Sequence, residues 1–496
     1  MICKRDARAA LIGLALAGAL GSCSDAGGRQ AVPAGPPADP AFARLLVEAN
    51  AAMARGALDD AGRKLDQARA MASVNADLWV AIARLRYRGG EHLTALEAAD
   101  RALELGPRHA PALLMRALMV RDAHGFGAAL PWFEAALAAD PESADGWAEY
   151  AATLGDAGRG RAMLRAVRKL EQIAPDDPRA LYLQAVLAAR AHEYPLARSL
   201  LVRSAMAARG VAAAQVLDAV LSMEEGNPDS AAATLDALAR RQPANTQLRE
   251  LLAFALLQSG RDAELVERFA GDARQAEASP YLIALVARAH ERLGDRASAA
   301  PLLARAYAGA TSGPVVLADR PGLAQPSANA RRAALAGNWT GARARADALR
   351  VQFPASADVA SLSGDTLLGA GDLHAALEAY GLAATVRRSW PLTRKAVLAY
   401  RGVGDAAAAD TLLSRHVAGD PGGLTGVIEL AQVMAARGDW ERTALLLDHT
   451  IRRGGGHDPA LLSLRIKAAH EMNRPTEARY LTVLLAEVRP RTLSQR

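Results

Sequence analysis

The sequence predicts an all-α chain: an elongated, right-handed superhelical solenoid of about thirteen helix-turn-helix repeats. Two observations lead there. Alanine supplies 118 of the 496 residues and aromatics only 4 %. Helix formers therefore dominate, and Val, Ile, Thr and Tyr never alternate as they do in strands. A 34-residue period also runs through most of the chain, and its fixed positions are alanine, glycine and proline. Those are the residues that let helices approach and that end them.

The first segment, 1–22, has a basic start (Lys4, Arg5, Arg8) and an apolar run, Ala9 to Leu20. As a helix this run is roughly 18 Å long, short of a ~30 Å hydrocarbon core. It has the form of a cleavable secretory signal. Leu20-Gly21-Ser22-Cys23 resembles the lipobox of bacterial lipoproteins. That resemblance implies that Cys23 becomes a lipidated N-terminus, and two or more acyl chains are what stable anchoring requires. With Cys3 removed, the mature chain would hold no free thiol and no disulfide, which an oxidising periplasm tolerates. Ser24, rather than Asp, after the cysteine implies by the same resemblance an outer-membrane lipoprotein facing the periplasm of a Gram-negative cell. Residues 23–41 carry the lipidated cysteine and a proline-rich tether, reaching roughly 50 Å at about 3.1 Å per residue.

Residues 42–313 hold eight repeats, in frames opening at 42, 76, 110, 144, 178, 212, 246 and 280. The eighth residue is alanine in all of them: Ala49, Ala83, Ala117, Ala151, Ala185, Ala219, Ala253 and Ala287. Glycine stands fifteenth in six (Gly56, Gly90, Gly158, Gly226, Gly260, Gly294), where a left-handed residue can stop a helix. Alanine stands twentieth in six, and Pro107, Pro141, Pro175 and Pro243 stand thirty-second. After a break at 314–322 (PVVLADRPG), five looser repeats occupy 323–492, opening at 323, 357, 390, 424 and 459. There Gly337, Gly371, Gly404, Gly438 and Asn473 mark the turns, and Gly364, Val397 and Ile466 replace the eighth-place alanine. Period, small residues and turn residues together resemble the tetratricopeptide repeat, with Trp79 and Trp147 at the fourth place where that family often has tryptophan. Such a repeat buries its apolar face only against its neighbours, so the product is elongated.

Chemistry is sparse. No HExxH, GxSxG, GxxxxGK or CxxC occurs in the mature chain. His124 and His192 fall at the turn position and read as helix caps, where an imidazolium suits the dipole. His449 and His457 flank RRGGGHD, which lacks the strand and the Lys-Ser/Thr of a phosphate loop and reads as a connecting turn. The expectation is a non-enzyme with no cofactor, no metal and no catalytic residue. Net charge is +6, spread without a basic run, so nucleic acid is not an expected partner.

Function is therefore expected on a surface. In the family this chain resembles, the first helix of each repeat lines the inner face at positions 2, 5, 6, 9, 12 and 13. Carried onto this sequence, that implies Asp77, Arg84, Tyr87 and Arg88 in repeat two, and Arg179, Tyr182 and Arg190 in repeat five. Glu250 and Phe254 follow in repeat seven, then Tyr281, Arg288, Glu291 and Arg292 in repeat eight. Arginine beside an aromatic suits a peptide carboxylate or an acidic sugar. Asp145, Glu149 and Asp156 on the same face support the opposing view of a mixed, solvated surface. The Lys and Asn clamp of chaperone-binding relatives is not present in this register. The layout is similar to repeat lipoproteins of exopolysaccharide secretion, pilus assembly or exosortase-linked export. It implies an anchored adaptor for envelope export or assembly proteins, with a groove that guides an anionic polysaccharide or peptide as the alternative. In the last helix Tyr480, Leu481, Leu484, Leu485 and Val488 form an apolar stripe. No later helix is expected to cover it, leaving a partner or its own repeat to do so.

Overall fold

The computed structural model describes residues 39–243, 245–275, 278–308, 325–452 and 455–488. Cys23, the signal, nearly all of the tether and the break at 314–322 lie outside the described residues. Twenty-six α-helices are described, in thirteen antiparallel pairs, with no strand among the described residues. The first four pairs are α1 (Pro40–Ala54) and α2 (Leu58–Met71), α3 (Ala76–Arg88) and α4 (His92–Leu105), α5 (Ala110–His124) and α6 (Phe126–Ala139), α7 (Ala144–Asp156) and α8 (Gly160–Ile173). The next four are α9 (Pro178–Arg190) and α10 (Tyr194–Ser204), α11 (Ala212–Glu224) and α12 (Pro228–Arg241), α13 (Thr246–Gln258) and α14 (Asp262–Arg274), α15 (Pro280–Arg292) and α16 (Arg296–Ala308). These sixteen helices make the first solenoid.

The second solenoid opens with α17 (Gln325–Leu335) and α18 (Trp339–Gln352), α19 (Ala357–Gly369) and α20 (Leu373–Ala384), α21 (Trp390–Gly402) and α22 (Ala406–Gly419). It closes with α23 (Leu424–Ala436) and α24 (Trp440–Arg452), then α25 (Pro459–Glu471) and α26 (Pro475–Val488). A short 3₁₀ turn, Gly455–His457, precedes α25, so the glycine run there is a connection, as its position predicts.

The repeat residues do what their chemistry requires. All eight eighth-place alanines of the first solenoid are 0 % exposed. A larger side chain there would have to part the two helices of the repeat. The ten fifteenth-place glycines all take positive φ, between 72° and 86°. The amide one residue past each such glycine reaches back into the helix, as Arg159 N to Leu154 O at 2.8 Å, and so satisfies carbonyls the helix end leaves free. Where glycine is absent, His192 (φ 62°) and Asn473 (φ 55°) adopt the same conformation. His124 instead ends α5, and Gly125 alone joins α5 to α6. Burial lowers the His124 pKa, with Arg388 and Arg116 adding to it, so its surroundings oppose the imidazolium form. The fourth-place tryptophans bind the preceding turn: Trp79 Nε1 donates to Ser73 O at 2.8 Å and Trp147 Nε1 to Pro141 O at 2.9 Å.

First helices of successive repeats touch one another, as α1 with α3, α3 with α5, α7 with α9 and α13 with α15. No comparable contact joins second helices among the described residues. The first helices therefore lie on the shorter, inner circumference. In the last helix Leu481 is buried and Leu484 and Leu485 pack into the final core cluster, while Tyr480 is 63 % exposed.

Candidate functional site: the inner face of the first solenoid

The named inner-face residues bind mainly to the chain itself, and their partners lie one repeat away. Arg84 Nη1 donates to Asn50 Oδ1 at 2.9 Å, 34 residues back. Arg179 Nη1 donates to Asp145 Oδ1 at 2.6 Å, also 34 back, and its Nη2 donates to Asp177 Oδ2 at 2.6 Å. Arg190 Nη1 donates to Gly155 O and Arg292 Nη1 to Leu257 O, each at 2.6 Å and 35 back. Those two carbonyls end the preceding first helices, so each guanidinium meets the negative end of a helix dipole as well as an acceptor. The Tyr87 hydroxyl donates to Asp122 Oδ2 at 2.5 Å, 35 residues forward. These pairs repeat the period of the sequence as hydrogen bonds.

The remaining candidates divide by burial. Tyr182 is 0 % exposed within the main core cluster, and its hydroxyl has no hydrogen-bond partner. It is a core residue, a correction to its expected place on an accessible groove. Phe254 and Tyr281 pack ring to ring at 6.4 Å and are partly buried against that same core. Arg288 is half-buried and acts on Glu291, while Arg88 and Arg292 are exposed. The structure thus joins Arg179 to Asp145 and Arg190 to Asp156 (3.6 Å), and does not gather the ten candidates into one pocket.

Two residues passed over in repeat three belong to the same face. Arg121 Nη1 donates to Glu149 Oε2 at 2.9 Å and to Thr153 Oγ1 at 3.3 Å. Its pKa is raised: burial opposes the charge, but Glu149 and Asp122 outweigh it. Arg121 and Asp122 stand twelfth and thirteenth in their frame, so the register itself marks them. Asp156, thirteenth in repeat four, is pushed up to about 7 by burial, against the opposing pull of Arg190 and Arg121. Burial also lowers the Arg84 pKa, helped by Arg88. Among the described residues no group of His, Cys, Asp and Glu could hold a metal ion, and no helix is long and apolar enough to cross a membrane.

A family model described as tetratricopeptide repeat matches residues 46–110, 80–144 and 219–264. The chain carries tetratricopeptide repeats. Those matches cover less than a third of the chain, and tetratricopeptide repeats generally bind protein partners or peptides. No curated protein matches the sequence. Among solved structures, a Pseudomonas aeruginosa PilF structure is 20 % identical over 43 % of this chain and 97 % of that one, with a TM-score of 0.34. MamA from Desulfovibrio magneticus RS-1 is 16 % identical over 35 % of this chain and 97 % of that one, TM-score 0.27. The tetratricopeptide domain of P58(IPK) is 13 % identical over 88 % of this chain and 99 % of that one, TM-score 0.29.

Proposed function

We propose that this protein is a membrane-anchored periplasmic tetratricopeptide scaffold that binds proteins of an envelope export or assembly machine. Exopolysaccharide export, an exosortase-linked system or pilus assembly are the machines its layout suits. The anchor is Cys23, and the working part is the pair of solenoids. One observation favours an adaptor over a polyanion guide. Arg84, Arg121, Arg179 and Arg190 each already bind an acceptor within the chain, and for Arg121 and Arg179 it is a carboxylate. An acidic glycan would have to displace those acceptors, and a guanidinium paired with a carboxylate presents little net charge.

In-cell crosslinking of the tagged protein, with partners read by mass spectrometry beside a Cys23→Ala control, tests this. The expected result is a few envelope proteins in the wild type and fewer with the control. Recovery of glycan without a stoichiometric protein partner would overturn the adaptor in favour of the polymer guide.

A further inference from the structure

The second solenoid lies against the edge of the first where first helices end and second helices begin. Leu93 N donates to Ala355 O at 3.1 Å, Ala357 N to His92 Nδ1 at 3.3 Å, and Arg388 N to Asp122 O at 3.2 Å. Each of these bonds uses a main-chain group of the second solenoid, in the turns that open α19 and α21. Tyr87 and Leu93 pack on the apolar cluster of α19 to α21. At the turn that ends α22 the backbones themselves meet: a Cβ added to Gly419 would lie 2.6 Å from His124 O and 3.6 Å from Gly125 Cα. Further along, α25 packs on α15 and α16. Small residues and main-chain groups therefore make the contact, and Ala355, Ala357 and Gly419 leave the backbone open to it.

The geometry points to the second solenoid as the resident occupant of the face formed by these helix ends and turns, so that this face receives another protein only when the second solenoid withdraws. The face recognises main-chain groups in a turn of small residues, and the competing partner is a protein segment of that kind. Closure also brings acids together: Asp420 acts on Asp156, and Asp458 on Glu250, across the contact. Burial raises the pKa of Asp156, Glu250 and Asp458 alike.

Three amides report the contact. Leu93 and Ala357 stand in the first turns of α4 and α19, where amides have no acceptor within their own helix. Arg388 lies in a turn. Their protection from hydrogen exchange therefore arises between the solenoids. In the full-length protein these amides should exchange about tenfold more slowly than Asp229, which stands at the same place in α12 as Leu93 does in α4 and is exposed. Gly419→Leu, at a residue without positive φ, should abolish that protection while helix content by circular dichroism is kept. Leu93→Glu, which places a charge against the α19–α21 cluster from the opposite side, should do the same at Ala357 and Arg388. The inference fails if the wild-type amides exchange as fast as Asp229, or if both variants keep them protected. Should Gly419→Leu lose helix content, Leu93→Glu decides alone. Because the measurement uses the purified protein, its outcome is separate from the identity of any envelope partner.

Discussion

Lys395→Met should open the second solenoid locally, and its cost follows from one buried carboxylate. Asp365 is 0 % exposed; one oxygen accepts from the Tyr380 hydroxyl at 2.9 Å and the other from Lys395 Nζ at 2.7 Å. Removing the ammonium leaves a buried carboxylate with one neutral donor. Breaking such a pair costs about 3–5 kcal/mol. Burial already raises the Asp365 pKa against the pull of Lys395, and the variant loses that pull. A carboxyl with a folded pKa above its unfolded value loses stability as pH rises, so the penalty should be full near pH 8 and smaller near pH 5. Faster hydrogen exchange should appear in α19 to α22 and not in α11 and α12, which pack on neighbouring repeats of the first solenoid. Asp365→Asn added to Lys395→Met should recover most of the loss, as it removes the charge left behind. A local cost below about 1 kcal/mol at pH 8, or one that does not shrink at pH 5, would refute the reasoning.

Three further outcomes are expected. Gly364→Ala places a Cβ 2.5 Å from the Tyr380 ring and should cost about 1–3 kcal/mol by thermal unfolding, although most eighth-place residues are alanine. His192→Gly should stabilise the protein by up to about 1 kcal/mol in the same assay, because it relieves a left-handed non-glycine residue at the expense of the 2.7 Å contact between His192 Nδ1 and the Tyr194 hydroxyl. Asp156, raised to about 7, binds a proton in the folded state that the unfolded chain releases near pH 4, so stability around α7 and α9 should fall as pH rises from about 4 to 7. Asp156→Asn should flatten that slope in hydrogen exchange measured at the two ends of the range.

How far the fold was legible follows from which interactions recur. Ala49 to Ala287, the turn glycines and the fourth-place tryptophans each perform the same task in successive repeats, so a fixed spacing exposes them. Gly364 broke the pattern for a reason the sequence hides: the Tyr380 ring fills the space of its Cβ. The inner-face arginines were legible in position but not in role. A spacing of 34 or 35 to a partner is implicit in the period, yet whether Arg190 meets a ligand or the Gly155 carbonyl depends on where a helix end falls in space. Tyr182 was misplaced because a first-helix register does not say how deeply a side chain is covered by the next repeat. The contact between the solenoids left no signal at all. It joins residues about 260 to 300 apart, and on the second solenoid's side its hydrogen bonds come from main-chain groups, which carry no side-chain signature.

That contact also constrains how the chain can grow. An isolated array of repeats can gain or lose a unit and remain soluble, because each unit meets only its neighbours. Here repeat two meets the turn before α19, repeat three meets the turns before α21 and after α22, and repeats seven and eight meet α25. The two arrays engage like the scales of a vernier. Deleting one whole repeat from between the second and the seventh would preserve every local rule and yet bring all later engagements out of step. The number of units is therefore fixed by the match between the two arrays, and lineages carrying this arrangement should change length only by paired gains or losses in both.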